Sequence, residues 1–318
     1  MNATNASSTL PRVGLLVGRE RTFPDALIAA VNARDAGVVA EYASVDITRA
    51  DEPCPYAVLV DRISHEVPCY QAFLKHAMLM GTRVVNNPFW RITDDKFFNA
   101  ALAAKLGVAV PKTRLLPSKS YGPDISSESL RNLAYPLSWG QMFEELGFPM
   151  FIKPHWGGGW RDVHRVTSPD DFFRAYDQTG EKAMIAQEGI KWSTYVRCIV
   201  IGRTEVLPAP WDPRLGHFDR YTGAASSMPP LDDALRERVT RDARTLCDAL
   251  GYDMNTVEFA IRDGVPYAID YMNSAPDFDI SSLGEPQFRW VVDKMADLVV
   301  RRAKEPAVPH TRVSSLLG

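Results

Sequence analysis

Cysteine is scarce in this chain. The four residues, Cys54, Cys69, Cys198 and Cys247, form no CxxC pair, so neither a zinc knuckle nor a redox dithiol is indicated, and they read as reduced thiols of a cytoplasmic protein. No apolar run reaches the ~20 residues that span a bilayer. Met1 to Thr9 is polar, without the apolar centre of a signal peptide, and residues 1–10 are expected to be a disordered tail. Neither charge sign dominates: 36 Lys+Arg against 39 Asp+Glu leave a formal net charge of -3, which gives no reason to expect nucleic acid or an anionic membrane as partner. The common nucleotide signatures are missing as well. Gly18-Arg19-Glu20 follows the first apolar run with no GxGxxG, and no GK[ST] opens a helix. None of the six histidines shows HExxH spacing, and only His155, beside a glycine run, invites attention.

What is present is ordinary globular composition, 46% hydrophobic and 24% charged over 318 residues, enough to bury a core in two or three modest domains. The first 90 residues alternate short apolar runs (Val13 to Val17, Ala40 to Ile47, Tyr56 to Val60, Thr82 to Val85) with helical patterns. One of these is expected to be capped by Thr22, with Pro24 in its first turn; the other, Tyr70 to Met80, is closed by Gly81. That rhythm predicts a small parallel α/β domain over 11–90. Thr93 to Leu106 reads as a helix with Thr93 as N-cap. Pro117 to Ser138, rich in Ser, Pro and Tyr, reads as an irregular insertion. A short helix over Gln141 to Gly147 precedes a strand at Met150 to Lys153. Strands follow at Ala183 to Glu188, Tyr195 to Ile201 and Glu205 to Leu207, then a helix over Leu231 to Leu250. Thr256 to Arg262 and Val265 to Tyr271 form a hairpin turned at Asp263-Gly264. A last helix covers Glu285 to Arg302, and 305–318 reads as a tail.

Four segments carry chemistry. In Thr93-Asp94-Asp95-Lys96 two acids suit the positive end of a helix. Lys96 there reads either as solvated and paired with those acids or as aimed at a phosphate. Lys153 ends a strand that runs into Gly157, Gly158 and Gly159, where main-chain N–H groups can close over an anion without Cβ interference. Gln187, Glu188 and Ile190 precede Arg197, an arginine within a strand that calls for an anionic partner, with Glu188 or a phosphate as the candidates. Glu258, Asp270 and Asn273 flank the hairpin. Acids set in runs as apolar as Val257-Glu258-Phe259 need a reason to be there, and two carboxylates with an amide oxygen make a hard-cation site.

Taken in order, Lys96, Lys153 with its glycines, Gln187-Glu188, Arg197, Glu258, Asp270 and Asn273 resemble the ATP-grasp superfamily over roughly residues 86–302. The likeness is nearest to the carboxylate–amine ligase branch, which includes glutathione synthetase-like and ribosomal-protein glutamate-ligase-like enzymes. The resemblance implies the fold class α/β and α+β, an N-terminal parallel α/β domain followed by a two-subdomain ATP-grasp fold with subdomains over 91–190 and 191–304. Lys96, Lys153 and the loop Gly157-Gly158-Gly159 would hold the phosphates of ATP. Gln187, Glu188 and the backbone near Ile190 would hold its adenine, and Arg197 would face the transferring group. Glu258, Asp270 and Asn273 would carry Mg²⁺, with Mn²⁺ as a substitute. The implied reaction makes an acyl phosphate from a small-molecule carboxylate and couples it to an amine.

Three features depart from the family pattern. Asp270 stands three residues before Asn273 where two is usual, which on a regular strand puts them on opposite faces unless a bulge intervenes. The ribose-binding acid is missing between Ile190 and Arg197. An unusual loop carries Arg214 and Arg220, candidates for gripping a substrate carboxylate. A small-molecule kinase, a thiol-acceptor ligase or a non-catalytic nucleotide-binding module would use the same motifs, and a homodimer is the default assembly on frequency alone.

Overall fold

The computed structural model of the chain describes residues 10–89, 95–158, 160–307 and 310–316, apart from the side chains of Ser226, Val313 and Ser314. The described residues fall into two compact units. One comprises those within Met1–Arg91, Tyr195–Phe259 and Asp270–Gly318. The other comprises those within Ile92–Thr194 and Ala260–Ile269.

The first unit begins with β1 (Arg12–Leu16), α1 (Thr22–Ala33), β2 (Val39–Tyr42), β3 (Val58–Asp61), α2 (Pro68–Leu79) and β4 (Arg83–Val85). The strands form a parallel sheet in the order β2-β1-β3-β4, as the βαβ rhythm predicts. Every residue of β3 is buried, the pattern of a parallel strand covered on both faces. Thr22 is not the cap of α1. Arg21 occupies that place without a side-chain bond, and the Thr22 hydroxyl instead donates to Asp279 Oδ2 at 2.8 Å.

The second unit contains α3 (Lys96–Lys105), β5 (Thr113–Leu116), α4 (Trp139–Leu146), β6 (Met150–Pro154), β7 (His164–Val166), α5 (Pro169–Tyr176) and β8 (Met184–Glu188). Its sheet is antiparallel, in the order β5-β8-β6-β7. Phe172, Tyr176, Met142 and Leu146 from the helices pack with Met150, Ile152 and Met184 of the sheet in one apolar cluster. Between Leu116 and Trp139 there is neither helix nor strand, in keeping with the irregular insertion read there.

The chain then adds β9 (Thr194–Ile201), β10 (Glu205–Pro210), α6 (Thr222–Ser227), α7 (Asp233–Leu250), β11 (Met254–Arg262), β12 (Val265–Asp270), α8 (Ile280–Leu283), α9 (Glu285–Lys304) and α10 (Val313–Leu316). The third sheet has the order β10-β9-β11-β12. Asp263 and Gly264 at the hairpin turn take φ of 52° and 72°, the two left-handed residues of the tight turn that Asp-Gly favours. Within the first unit, α1 packs on α9. Asn86 clamps the main chain of Met254, its Nδ2 donating to the carbonyl at 2.6 Å and its Oδ1 accepting the N–H at 2.9 Å. The stretch after Lys304, read as a tail, returns to the first sheet: Leu316 is buried with Leu16, Leu59 and Leu74. Among the described residues no helix is long and apolar enough to cross a membrane.

Candidate active site

In the second unit, β6 carries Lys153 opposite Ile185 of β8 and runs into the glycine loop. The base of that loop is tied to the start of α3. Asp95 Oδ1 accepts the N–H groups of Phe97 and Phe98 at 2.8 and 3.0 Å, which makes Asp95 the N-cap. Thr93 and Asp94, expected at this cap, lie outside the described residues. Asp95 Oδ2 is 3.2 Å from His155 Nδ1, and the Lys96 N–H donates to the His155 carbonyl at 2.8 Å. Burial pulls the Asp95 carboxyl up, but the donors on Phe98, His155 and Phe97 outweigh it and hold it below the usual range. The Lys96 ammonium donates to the Gly157 carbonyl, so the structure brings together two residues read separately as phosphate ligands. Gly157 has φ 95°, a conformation that L side chains rarely adopt. A Cβ on Gly158 would meet nothing within 4 Å, and Gly159 lies outside the described residues. Trp156 and Trp160 flank the glycines at 63% and 60% exposure.

The other end of that sheet holds the second predicted segment. Gln187 is buried and donates to Thr113 Oγ1 at 3.0 Å, so its amide is spent on the β5–β8 ladder. Glu188 ends β8 and accepts from two directions: Arg262 Nη1 reaches Oε1 at 2.7 Å, and the Lys112 N–H reaches Oε2 at 3.3 Å. Arg262 also donates to the Tyr267 hydroxyl at 3.0 Å, with its guanidinium 4.7 Å from that ring's centroid. Those two hydrogen bonds, the one to Glu188 first, lift its pKa above the ordinary value. A Cβ on Gly189 would collide with the Pro149 carbonyl oxygen, so only glycine permits this close approach. Ile190 lies just past the strand end. Arg262 escaped the sequence reading because its partner is 74 positions away.

In the first unit the partner of Arg197 is Glu258, not Glu188. The Nε–Oε1 separation is 3.5 Å, and each side chain is 13% exposed. Tyr195 donates its hydroxyl to Glu258 Oε2 at 2.9 Å. The Arg197 and Arg220 guanidinium groups lie 5.2 and 5.4 Å from the centroid of the same buried Trp211 ring, a double cation–π arrangement. Burial pushes the Glu258 carboxyl up, and the charge of Asp270 adds to it. Arg197, the Tyr195 hydrogen bond and Arg220 pull the other way, and the carboxyl settles at about 7. Burial would lower the Arg197 pKa, but Tyr221, Glu258 and Asp270 raise it above its usual value, so it is a fixed cation. Arg214 is paired within its own loop. Its Nε and Nη2 both bind the Asp212 carboxylate, at 2.9 and 2.7 Å.

β12 ends at Asp270, so strand alternation does not govern the next three residues. Their path is set by Asn255, which has no exposed surface. Its Nδ2 donates to the Tyr271 carbonyl at 2.9 Å, and its Oδ1 accepts the Asn273 N–H at 2.8 Å. Asn273 Nδ2 in turn donates to Thr256 Oγ1 at 3.1 Å. Among the described residues no group of three or more His, Cys, Asp or Glu clusters to hold a metal ion. The set here is two carboxylates and one amide. Glu258 and Asp270 are close enough for one to raise the pKa of the other, a repulsion that a hard divalent cation would relieve.

No family model matches the chain. Among curated proteins it is similar to the D-alanine–D-alanine ligase of Limosilactobacillus fermentum, 26% identical over 184 residues that make up 50% of this chain and 48% of that protein. The chain thus spans about half the length of the curated relatives it matches. Among solved structures it resembles the RimK domain protein ATP-grasp from Sphaerobacter thermophilus, with TM-score 0.62 and 21% identity over 91% of this chain and 99% of that one. It also resembles the ATP-grasp ligase PsnB complexed with minimal precursor, Mg and ADP, with TM-score 0.60 and 13% identity over 92% and 98%. The three sheets belong to a fold that the chain shares with these ATP-grasp structures.

Proposed function

We propose that the chain is an ATP-dependent ligase that activates a small-molecule carboxylate as an acyl phosphate and couples it to an amine, with release of ADP and phosphate. The observation that carries this reading is the state of Glu258: a buried carboxyl at about 7, held by Tyr195 and Arg197 and raised by its neighbour Asp270. A carboxylate kept at that cost in an apolar strand calls for a cation. Glu258, Asp270 and the amide oxygen of Asn273 would hold Mg²⁺, or Mn²⁺ in its place. When bound, the ion would neutralise the charge on the transferring phosphoryl oxygens. That the PsnB structure holds Mg and ADP supports the same assignment.

Lys96, Lys153 and the N–H groups of Gly157, Gly158 and Gly159 would take the phosphates, and Glu188 with the backbone at Ile190 the adenine. Arg197, permanently charged and stacked on Trp211, would face the phosphoryl group and then the acyl phosphate. Arg220 would bind a substrate carboxylate, while Arg214, spent on Asp212, is a weaker candidate. The functional division follows the same order: an N-terminal wall over 11–90, the phosphate-binding part over 91–190 and the carboxylate-bearing part over 191–304.

Calorimetric titration of ATP with and without Mg²⁺, alongside Lys153→Ala and Asp270→Asn, tests the reading. Binding strengthened by Mg²⁺ and lost in both variants supports it. Phosphate release is then measured over a panel of amino acids that begins with D-alanine, the substrate in the name of the curated relatives. Absence of ATP binding in the unaltered protein overturns it.

A further inference from the structure

Both oxygens of the Glu188 carboxylate are engaged from the protein side, Oε1 by Arg262 and Oε2 by the Lys112 N–H. Each oxygen accepts about two hydrogen bonds, so each keeps one acceptor position, and an ionised carboxylate has no donor. Arg262 cannot lose its proton. Its own fork is fixed by the Tyr267 hydroxyl and ring. Glu188 is 18% exposed at the end of its strand, beside the point where Gly189 presses against Pro149. A free glutamate there could rotate, or bind as the neutral acid and donate. This one is held in a single pose by Arg262 and the Lys112 N–H.

We propose that Arg262 is a positioning residue that makes Glu188 an acceptor-only reader of the nucleobase edge. Such a reader favours a base that presents an amino group, as adenine does, over one that presents a carbonyl, as hypoxanthine does. The inference rests on the assignment of Glu188 to the base in the proposed function. A site built around a hydrogen bond discriminates strongly, because the wrong partner leaves a charged acceptor facing another acceptor.

The test compares the affinities of ATP and ITP, each with Mg²⁺, for the full chain and for Arg262→Met, Arg262→Lys and Glu188→Gln, with the melting temperature recorded for each. The unaltered protein is expected to prefer ATP by about tenfold or more. Arg262→Met should bring that ratio close to one, mainly through weaker ATP binding. Arg262→Lys, which keeps the charge but loses the fork, should restore most of the ratio, and Glu188→Gln should abolish it. If Arg262→Met weakens both nucleotides by the same factor, or leaves the ratio unchanged, Arg262 is a structural residue and the proposal is overturned. A ratio unchanged in Glu188→Gln removes the base contact itself. Failure of the unaltered protein to bind ATP refutes the underlying function rather than this refinement.

Discussion

The glycine-loop region and the carboxylate cluster solve the handling of charge in opposite ways. Around Lys96 and Gly157 the polar groups are mostly main-chain N–H and C=O, the side chains are half exposed, and two tryptophans stand in solvent. Around Glu258 the polar groups are buried side chains with named partners: Tyr195, Arg197, and an amide clamp from Asn255. Backbone donors tolerate changes of side chain but depend on glycine. Buried side chains tolerate movement poorly, because each removal strands a partner. The two regions should therefore respond differently to the same kind of substitution.

The sharpest way to expose the difference is Glu258→Gln. A carboxyl raised from 4.5 to about 7 in the folded state adds stability that is complete below about 4.5 and is lost as pH rises through about 7. Urea denaturation of the unaltered protein without Mg²⁺ should show that decline, and Glu258→Gln should lack it, gaining up to about 3 kcal/mol above pH 7. The same titration makes Mg²⁺ binding weaken below about 7, by roughly tenfold per pH unit where protonation dominates. A variant less stable than the parent at high pH would contradict this account. Next in size, Asn255→Ala should cost about 2–3 kcal/mol, measured by chemical denaturation, since two buried main-chain groups lose their partner. In the loop region the effects shrink. Asp95→Ala removes a helix cap and the His155 contact and should cost about 1 kcal/mol by the same measurement. Smallest of all, Arg214→Ala should leave ATP affinity and turnover unchanged, whereas Arg220→Ala should raise the KM of the carboxylate substrate. Steady-state kinetics with the substrate found in the screen separates the two.

These regions also differ in how far they could be read from sequence. The Asp263-Gly264 turn was legible because its chemistry is local, two adjacent residues suited to positive φ. The glycine run after Lys153 and the irregular stretch 117–138 were legible for the same reason. The helix before them shows the limit. Thr93, Asp94 and Asp95 are all good caps, and only the contacts of Asp95 with Phe97, Phe98 and His155 decide among the described residues. Arg197 announced its need for an anion, but its partner lies 61 residues further on, and local pattern does not carry pairing across that distance. Asn255 gave no signal at all. A polar residue in an apolar strand becomes meaningful only when the segment 271–273 is folded against it.

That asparagine separates two properties that acidic clusters usually couple. An aspartate would nearly match its shape but would add a third negative charge near Glu258 and Asp270, and it would lose the donor to Tyr271. Because the clamp is neutral, the direction of the chain past the hairpin is set without altering the local electric field. Proton affinity at Glu258 can then be tuned through Tyr195, Arg197 and Arg220 while the path of residues 271–273 stays as it is.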